Sequence, residues 1–448
     1  MTRLIAVRLE RTRTRDCLCW HVGWTAAADA ESLEEVLSRA CSARIAVSPD
    51  DLRRLIASKT AADPDFAVAI VDALLAASAE ARASDLHLLP TADGLDLRWR
   101  IDGVLQQLGT IPRALASNVV TRMKVLARLL TYQTAMPQEG RITAPQSGVE
   151  VRISTFPTVF GEKVVARNLP RGPQNLARLA DLALPAEACA LLGAALSQTS
   201  GAIVIAGPAG SGKTTTAYAC LREIVHRTSG SRSVASLEDP VESVVDGVAQ
   251  SQVAEAAGFD LLTGLRSLVR QDPEVIFIGE IRDPAAAGVA MQASLTGQLV
   301  LTTFHASDAA GAACRLADMG IPPYVIRSGV RTIVSQRLLR RLCECASTAP
   351  ASDAARVLAV TTPQVREPRG CAKCRGTGYL GRIAVAEAMP MDDPAVARAV
   401  LDRVDASVLR DAAISSGMRP LDAQAVALVE AGITSPAEAL RVFGESLG

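Results

Sequence analysis

The run Gly207-Pro208-Ala209-Gly210-Ser211-Gly212-Lys213-Thr214 constrains the fold more than any other stretch of the 448 residues. It fits the spacing G-x-x-x-x-G-K-[ST], follows the apolar run GAIVIA and precedes TTTAYACLREIV, which reads as a helix. The glycines let backbone N–H groups converge on phosphate oxygens, and the start of the helix adds its partial positive charge. In such a loop Lys213 reaches the β- and γ-phosphates of a nucleotide. The Thr214 hydroxyl binds Mg²⁺, with Thr215 beside it in the first helical turn. Lysine is scarce, because most of the 47 basic residues are Arg, so its place here carries weight. The bland alternative is a Gly-rich turn entering a helix.

The surroundings suit a phosphate-binding loop. Apolar strands (GAIVIAG, SVASLED, EVIFIGE, QLVLTTF) alternate with helices. That alternation predicts a parallel sheet covered on both faces, an α/β P-loop domain over 180–391. Before it, 62–83 reads as a helix opened by Asp-Pro-Asp. Next, SDLHLLPTADGLDLRWRIDGVLQQL alternates as strands with a turn at Asp93-Gly94. A helix at 114–130 and the strand pair GVEVRISTFPTVFGEKVVARNL complete an α+β domain over 62–172. Pro170 and Pro173 flank a linker assigned to 173–179. Residues 1–61 read as a small α/β region suited to docking a partner. There Arg11, Arg13 and Arg15 mark a solvated strand face, and Cys17-Leu18-Cys19-Trp20-His21 reads as strand rather than metal site. Residues 392–448 read as wholly helical.

Composition removes several classes of function. The 47 basic residues balance 47 acidic ones, which disfavours binding nucleic acid by bulk charge. No apolar run reaches the ~18–20 residues that span a bilayer, and arginines interrupt the start before any leader-length apolar core. A cytoplasmic protein that docks on a membrane partner is expected. Of ten cysteines, Cys41, Cys189, Cys220 and Cys314 are scattered and read as small apolar residues. The other group, Cys343-Glu344-Cys345 with Cys371-Ala372-Lys373-Cys374, supplies two chelating pairs flanked by Gly370, Gly376 and Gly378. Four thiolates suit a closed, tetrahedral, structural Zn²⁺ site. Free thiols around an insert are the alternative.

Two acidic groups lie at strand ends. Val275-Ile276-Phe277-Ile278-Gly279-Glu280 puts Glu280 at the carboxyl edge of an apolar strand, where it can orient the Mg²⁺ shell. The run Glu238-Asp239-Pro240-Val241-Glu242 offers a base for the attacking water, and spacing alone does not choose among its three acids. Arg266 and Arg270 are spaced i and i+4, so one helical face would present both to a transferring phosphoryl group. In isolation such a pair is as readily a solvated face.

With these motifs in order, the chain resembles the secretion/pilus traffic ATPases, the GspE/PulE/PilB group of RecA-like hexameric motors. The runs EDPVE, GLRSLVRQDPEVIFIGEIRD and TGQLVLTTFHASDA carry the resemblance. So do ASDLHLLP, WRIDGVL, MPQEGRI and STFPTVFGEKVVAR upstream, and GCAKCRGTGYLGRIAVAEA and AGITSPAEALRV downstream, so that it spans about 62–445. The resemblance implies a RecA-like fold preceded by a PAS-like α+β domain, with a zinc knuckle at 343–374. It assigns Glu242 as general base, Glu280 as the Walker B acid, and Arg266 and Arg270 as phosphate contacts. It makes His305 a γ-phosphate sensor, and Arg152 and Arg167 arginines that close over the nucleotide. Gln298 stands where the group usually has His, and the first cysteine pair is C-x-C where the group has C-x-x-C.

The implied function is a homohexameric ATPase that uses ATP, Mg²⁺ and structural Zn²⁺ to drive pseudopilus or type IV pilus assembly. Domain closure about the linker would transmit force. The implied partners are an inner-membrane platform protein and a bitopic recruiter that grips the N-terminal region, with no nucleic acid expected. A retraction motor is the alternative within the superfamily, disfavoured by the cysteine pairs. A RecA-like nucleic-acid motor is disfavoured by the zero net charge. A catalytically dead scaffold is disfavoured by intact Lys213, Thr214, Glu242 and Glu280.

Overall fold

The computed structural model describes residues 9–14, 17–22, 65–143, 149–170 and 178–444. The chain divides into two units, Met1–Gly172 and Pro173–Gly448. Most of the N-terminal region assigned to 1–61, Cys41 and residues 173–177 of the linker assigned to 173–179 lie outside the described residues.

In the first unit, β1 (Leu9–Thr14) and β2 (Cys17–Val22) form an antiparallel pair, which makes the Cys17–His21 stretch a strand. The helix Phe66–Glu80 buries Phe66, Ile70, Val71, Leu74 and Ala77, the stripe its helical spacing dictates. Six strands follow: β3 (Asp85–Pro90), β4 (Gly94–Ile101), β5 (Val104–Pro112), β6 (Gln138–Thr143), β7 (Val149–Thr158) and β8 (Gly161–Pro170). They make one antiparallel sheet in the order β5-β4-β3-β8-β7-β6. Alternation places Leu86, Leu88, Leu95, Leu97, Val164 and Ala166 in one core with Phe66–Glu80 and the helix Arg113–Leu126. Asp102 (φ 48°) and Gly103 (φ 83°) form the two-residue turn between β4 and β5, where both φ are positive as a type I′ hairpin requires. Strand β6 was not foreseen, because QEGRIT lacks an apolar alternation and needs none at a sheet edge. Within this unit Lys124 Nζ, 1% exposed, donates to both oxygens of Glu162 at 2.8 and 3.0 Å and to Gln133 O at 2.9 Å.

The second unit is built on seven strands: β9 (Gly201–Ala206), β10 (Val234–Glu238), β11 (Ala249–Gln252), β12 (Val275–Ile278), β13 (Leu299–Phe304), β14 (Val330–Leu342) and, after the short hairpin β15 (Ser347–Pro350) and β16 (Gln364–Glu367), β17 (Tyr379–Pro390). The sheet order is β11-β10-β12-β13-β9-β14-β17. The first six strands are parallel, as the βα alternation predicts, while β17 returns antiparallel along β14 and closes that edge. Every residue of β9, β12 and β13 is buried, because helices cover both faces. Ile203 and Ile205 face Leu192, Ala217, Leu221 and Ile224 of the helices Ala186–Leu196 and Lys213–Arg227. Ala202 and Val204 face Ala287, Ala290, Leu316, Val396 and Leu409 on the other side. The C-terminal helices Pro394–Leu401, Ala406–Ser415, Leu421–Glu430 and Pro436–Phe443 thus bury their apolar stripes against the same sheet. Because β9, β10, β12 and β13 are parallel, their carboxyl ends share one rim, where an open α/β sheet binds ligands.

Candidate functional site

The rim begins with loop 207–212 between β9 and the helix Lys213–Arg227. Gly207, Gly210 and Gly212 have φ of 145°, 75° and 91°. A Cβ on Gly207 would lie 2.5 Å from Ser211 Oγ and 2.6 Å from Gln336 O, so only glycine fits there. Ala209 and Gly210 form the exposed outer rim, with Pro208 half-buried behind them. Lys213 is 8% exposed, and its Nζ donates to Gly207 O at 2.8 Å and Pro208 O at 2.9 Å. Burial lowers its pKa, while the charges of Glu280 and Glu242 act against that shift. Thr214 is half-buried and Thr215 exposed at the head of the helix.

Sequence reasoning missed Gln336, a polar residue buried inside the apolar stretch of β14. Its Nε2 donates to Ser211 O at 2.8 Å and its Oε1 accepts from Thr216 Oγ1 at 2.9 Å, which ties the loop to the neighbouring strand. A glutamine within a run of buried strand residues was the available signal.

The acids after β10 divide by environment. Glu238 is 2% exposed and accepts hydrogen bonds from Ser236 Oγ (2.5 Å), Tyr218 Oη (2.5 Å) and Gln250 Nε2 (3.1 Å). Its oxygens are occupied and shielded from water. Asp239 and Glu242 are exposed, and of the three only Glu242 acts on the Lys213 charge as a cause of its shift. On the next strand end, Glu280 Oε1 lies 2.7 Å from His305 Nε2, and Oε2 accepts from Arg282 Nε at 2.6 Å. Arg282 is a second partner that spacing did not reveal.

The arginine pair differs from expectation. Arg266 lies on the helix Leu261–Leu268, but that helix ends before Arg270, so the two do not share a helical face. Asp272 sits at φ 52° and precedes Pro273, a pair that cannot continue a helix. Both arginines are exposed. Arg152 and Arg167 belong to the first unit, where Arg152 pairs with Glu139 and Arg167 Nε donates to Asp85 Oδ1 at 2.8 Å. Gln298 immediately precedes β13, six residues before its carboxyl end at Phe304 and so roughly 20 Å from the rim at strand rise. The departure from His at that position therefore falls outside the phosphate cradle.

The four cysteines converge. Sγ–Sγ distances are 3.8 Å for Cys343–Cys371, 3.8 Å for Cys345–Cys374 and 3.7 Å for Cys371–Cys374, and all four sulfurs lie within 4.8 Å of one another. Four sulfurs at ~2.3 Å from a tetrahedral Zn²⁺ stand about 3.8 Å apart, so the donor set fits that ion. The short C-x-C spacing is accommodated because its two sulfurs each meet a different partner of the C-x-x-C pair. Burial opposes a thiolate at Cys374, but the N–H groups of Cys371 (3.1 Å) and Gly378 (3.2 Å) donate to its sulfur and bring its pKa down to about 6. Of the scattered cysteines, Cys220 is buried, which pushes its thiol up to about 12, while Cys189 and Cys314 are half-buried. No helix among the described residues is long and apolar enough to cross a membrane.

A family model described as "Type II/IV secretion system protein" matches residues 60–441. The chain is 37% identical over 380 residues to a type II secretion system protein E of Klebsiella pneumoniae, covering 84% of this chain and 75% of that one. It is 35% identical over 388 residues to the type IV pilus assembly ATPase PilB of Myxococcus xanthus, covering 84% and 68%. Among solved structures, the Legionella pneumophila ATPase DotB superposes with a TM-score of 0.60 at 20% identity, over 82% of this chain and 93% of that one, a likeness of fold.

Proposed function

Because the chain belongs to the type II/IV secretion system protein family, we propose that it is an ATP-hydrolysing motor that drives assembly of a secretion pseudopilus or a type IV pilus. One observation carries the reading: a glycine loop at the head of a helix holds buried Lys213 at the sheet rim, where the strand-end acid Glu280 is fixed by His305 and Arg282. Phosphoryl transfer needs such a cradle for the phosphates and a metal-orienting acid, together with a second acid for the water.

In the proposed reaction, backbone N–H groups of 207–212 and Lys213 bind the β- and γ-phosphates of ATP. Glu242 accepts a proton from the water as its oxygen bonds to the γ-phosphorus, and the bond to the β–γ bridging oxygen breaks, leaving ADP and phosphate. Thr214 and Glu280 would hold Mg²⁺, which would supply positive charge to offset that of the phosphates. Arg266, on the helix Leu261–Leu268, would add positive charge to the phosphates, whereas Arg270 follows Val269, whose carbonyl accepts from Gln298 Nε2 at 3.4 Å, and so lies toward the end of the strands away from the cradle. His305 reports the γ-phosphate to Glu280. Cys343, Cys345, Cys371 and Cys374 would hold Zn²⁺ in a structural role. The motor works as a ring of copies, a hexamer in our reading, at the cytoplasmic face of the inner membrane. Its partners there are a platform protein and a recruiter.

The test is nucleotide binding and turnover by the purified chain with Mg²⁺. Lys213→Ala should abolish binding of labelled ATP, and Glu242→Gln should bind it while hydrolysis falls by roughly 10²–10⁴-fold. Equal binding by the Lys213→Ala protein would end the motor reading.

A further inference from the structure

Tyr218 lies five residues beyond Lys213 on the same helix, and its ring is 4% exposed, edge-on to Phe277 at 6.0 Å between centroids. Its phenol oxygen accepts hydrogen bonds from the backbone N–H of Glu242 at 3.0 Å and of Ser243 at 3.3 Å. It donates to Glu238 Oε2 at 2.5 Å. We infer that Tyr218 is a positioning residue for ATP hydrolysis, with Glu238 and Gln250 as its supports, and that it fixes the height of Glu242 above the phosphate cradle.

The inference rests on the reading of Glu242 as the base, and adds what places that base. The segment after β10 is held by side chains. The N–H groups of Val241, Glu242, Ser243 and Val245 end on side-chain oxygens of Gln252, Tyr218, Tyr218 and Gln250 respectively. Gln250 Nε2 in turn donates to Ser243 O at 3.0 Å and to Glu238 Oε1 at 3.1 Å. Two clamps on the Glu242 segment thus converge on one buried carboxylate. Burial and the bond to Glu238 raise the Tyr218 pKa, so the phenol keeps its proton and remains a donor to Glu238. The same helix that begins with Lys213 therefore carries the group that holds the segment of the second acid. Lys213 and the anchor of the Glu242 backbone thus share one rigid element, which references the segment after β10 to the phosphates.

Tyr218→Phe keeps the ring and its packing and removes only the oxygen. The expected result is a kcat lower by roughly 10- to 100-fold, the range for a misplaced reacting group. The KM for ATP and the affinity for nucleotide should stay within about threefold of the parent, because Lys213 and the glycine loop are untouched. Gln250→Ala, at the other clamp, should show the same split and serves if the Phe variant folds poorly. In a Glu242→Gln background, adding Tyr218→Phe should cost nothing further, since the two act through one group. A Tyr218→Phe protein that turns over at the parental rate overturns the inference. So does one that loses the same factor again in the Glu242→Gln background. If Glu242→Gln itself hydrolyses ATP at the parental rate, the reading of Glu242 fails instead, and the two failures are told apart.

Discussion

His305 Nε2 stands 2.7 Å from Glu280 Oε1, so the residue that follows β13 holds the acid that follows β12. The two strands are adjacent and parallel, with Ile278 opposite Thr302, and both side chains emerge at the same rim. Arg282 holds the other oxygen of Glu280. Removing His305 leaves the carboxylate with one fixed partner and free to swing toward Arg282. His305→Ala should therefore lower kcat, by as much as roughly 100-fold, with little change in nucleotide affinity. Steady-state turnover alongside equilibrium titration with a non-hydrolysable ATP analogue checks the split. Equal losses of affinity and turnover would place His305 in ground-state binding instead.

Gln336 gives a prediction on stability as well as binding. Replacing it by Leu removes the donor to Ser211 O and the acceptor of Thr216 Oγ1, both in a buried setting. Leaving those groups unpaired costs about 1–3 kcal/mol each at most, so a visible drop in Tm is expected. The loop loses its tie to β14, and affinity for ATP should weaken with it. Thermal unfolding and a nucleotide titration on the same sample check both, and a change in Tm alone would limit Gln336 to the scaffold.

The parts of the fold legible in the sequence are those governed by short-range patterning. The strands GAIVIA, VIFI and LVLTTF read as buried because a parallel sheet covered on both faces demands continuous apolar runs. The helix Lys213–Arg227 was fixed by the glycine loop before it. Strand β6 and the antiparallel return of β17 were not legible, because an edge strand is defined by its neighbour and not by its own alternation. The same holds at the site. Glu280 reads as a strand-end acid from its own context, whereas the burial that takes Glu238 out of contention is set by Tyr218 and Gln250, 20 and 12 residues away. The helical face expected for Arg266 and Arg270 failed on Asp272 and Pro273, whose turn preference outweighed the i, i+4 spacing.

The cysteine cluster predicts one zinc per chain by elemental analysis. Prolonged chelation or Cys374→Ser should remove it. Gly370 and Gly378, at φ 96° and 77°, fold the segment so that the sulfurs meet, and without metal four mutually close thiols have little to hold them. A loss of a few kcal/mol would lower Tm by roughly 5–10 °C for a unit of this size. The P-loop lies elsewhere in the unit, so nucleotide binding at low temperature should survive. A metal-free preparation with unchanged Tm would reduce the cluster to free thiols.

Glu438 predicts an acid limb in the stability of the second unit. Its side chain is fully buried at the start of the helix Pro436–Phe443, yet it accepts from Arg340 Nε at 2.9 Å and Nη2 at 2.7 Å, and from Arg441 Nε at 2.8 Å and Nη2 at 2.7 Å. The Arg340 N–H adds a further bond at 3.0 Å. Burial alone would raise the carboxyl pKa, but the hydrogen bonds from Arg441 and Arg340 outweigh it and hold the folded value below the usual one. A depressed folded pKa means that the unfolded chain binds the proton first. The contribution to stability is complete above the unfolded carboxyl value of about 4.3 and disappears as pH falls through the lower folded value. Glu438→Gln removes the charge while keeping the shape, and leaves Arg340, whose side chain is 14% exposed, without its counter-ion. The variant should lose about 3 kcal/mol at neutral pH, the scale for breaking a buried pair from one side. Its unfolding midpoint should then fall less steeply than the parent's as the pH drops below about 4.3. Denaturant titrations at several pH values test both effects together, and parallel acid limbs in the two proteins would show that Glu438 does not set this dependence.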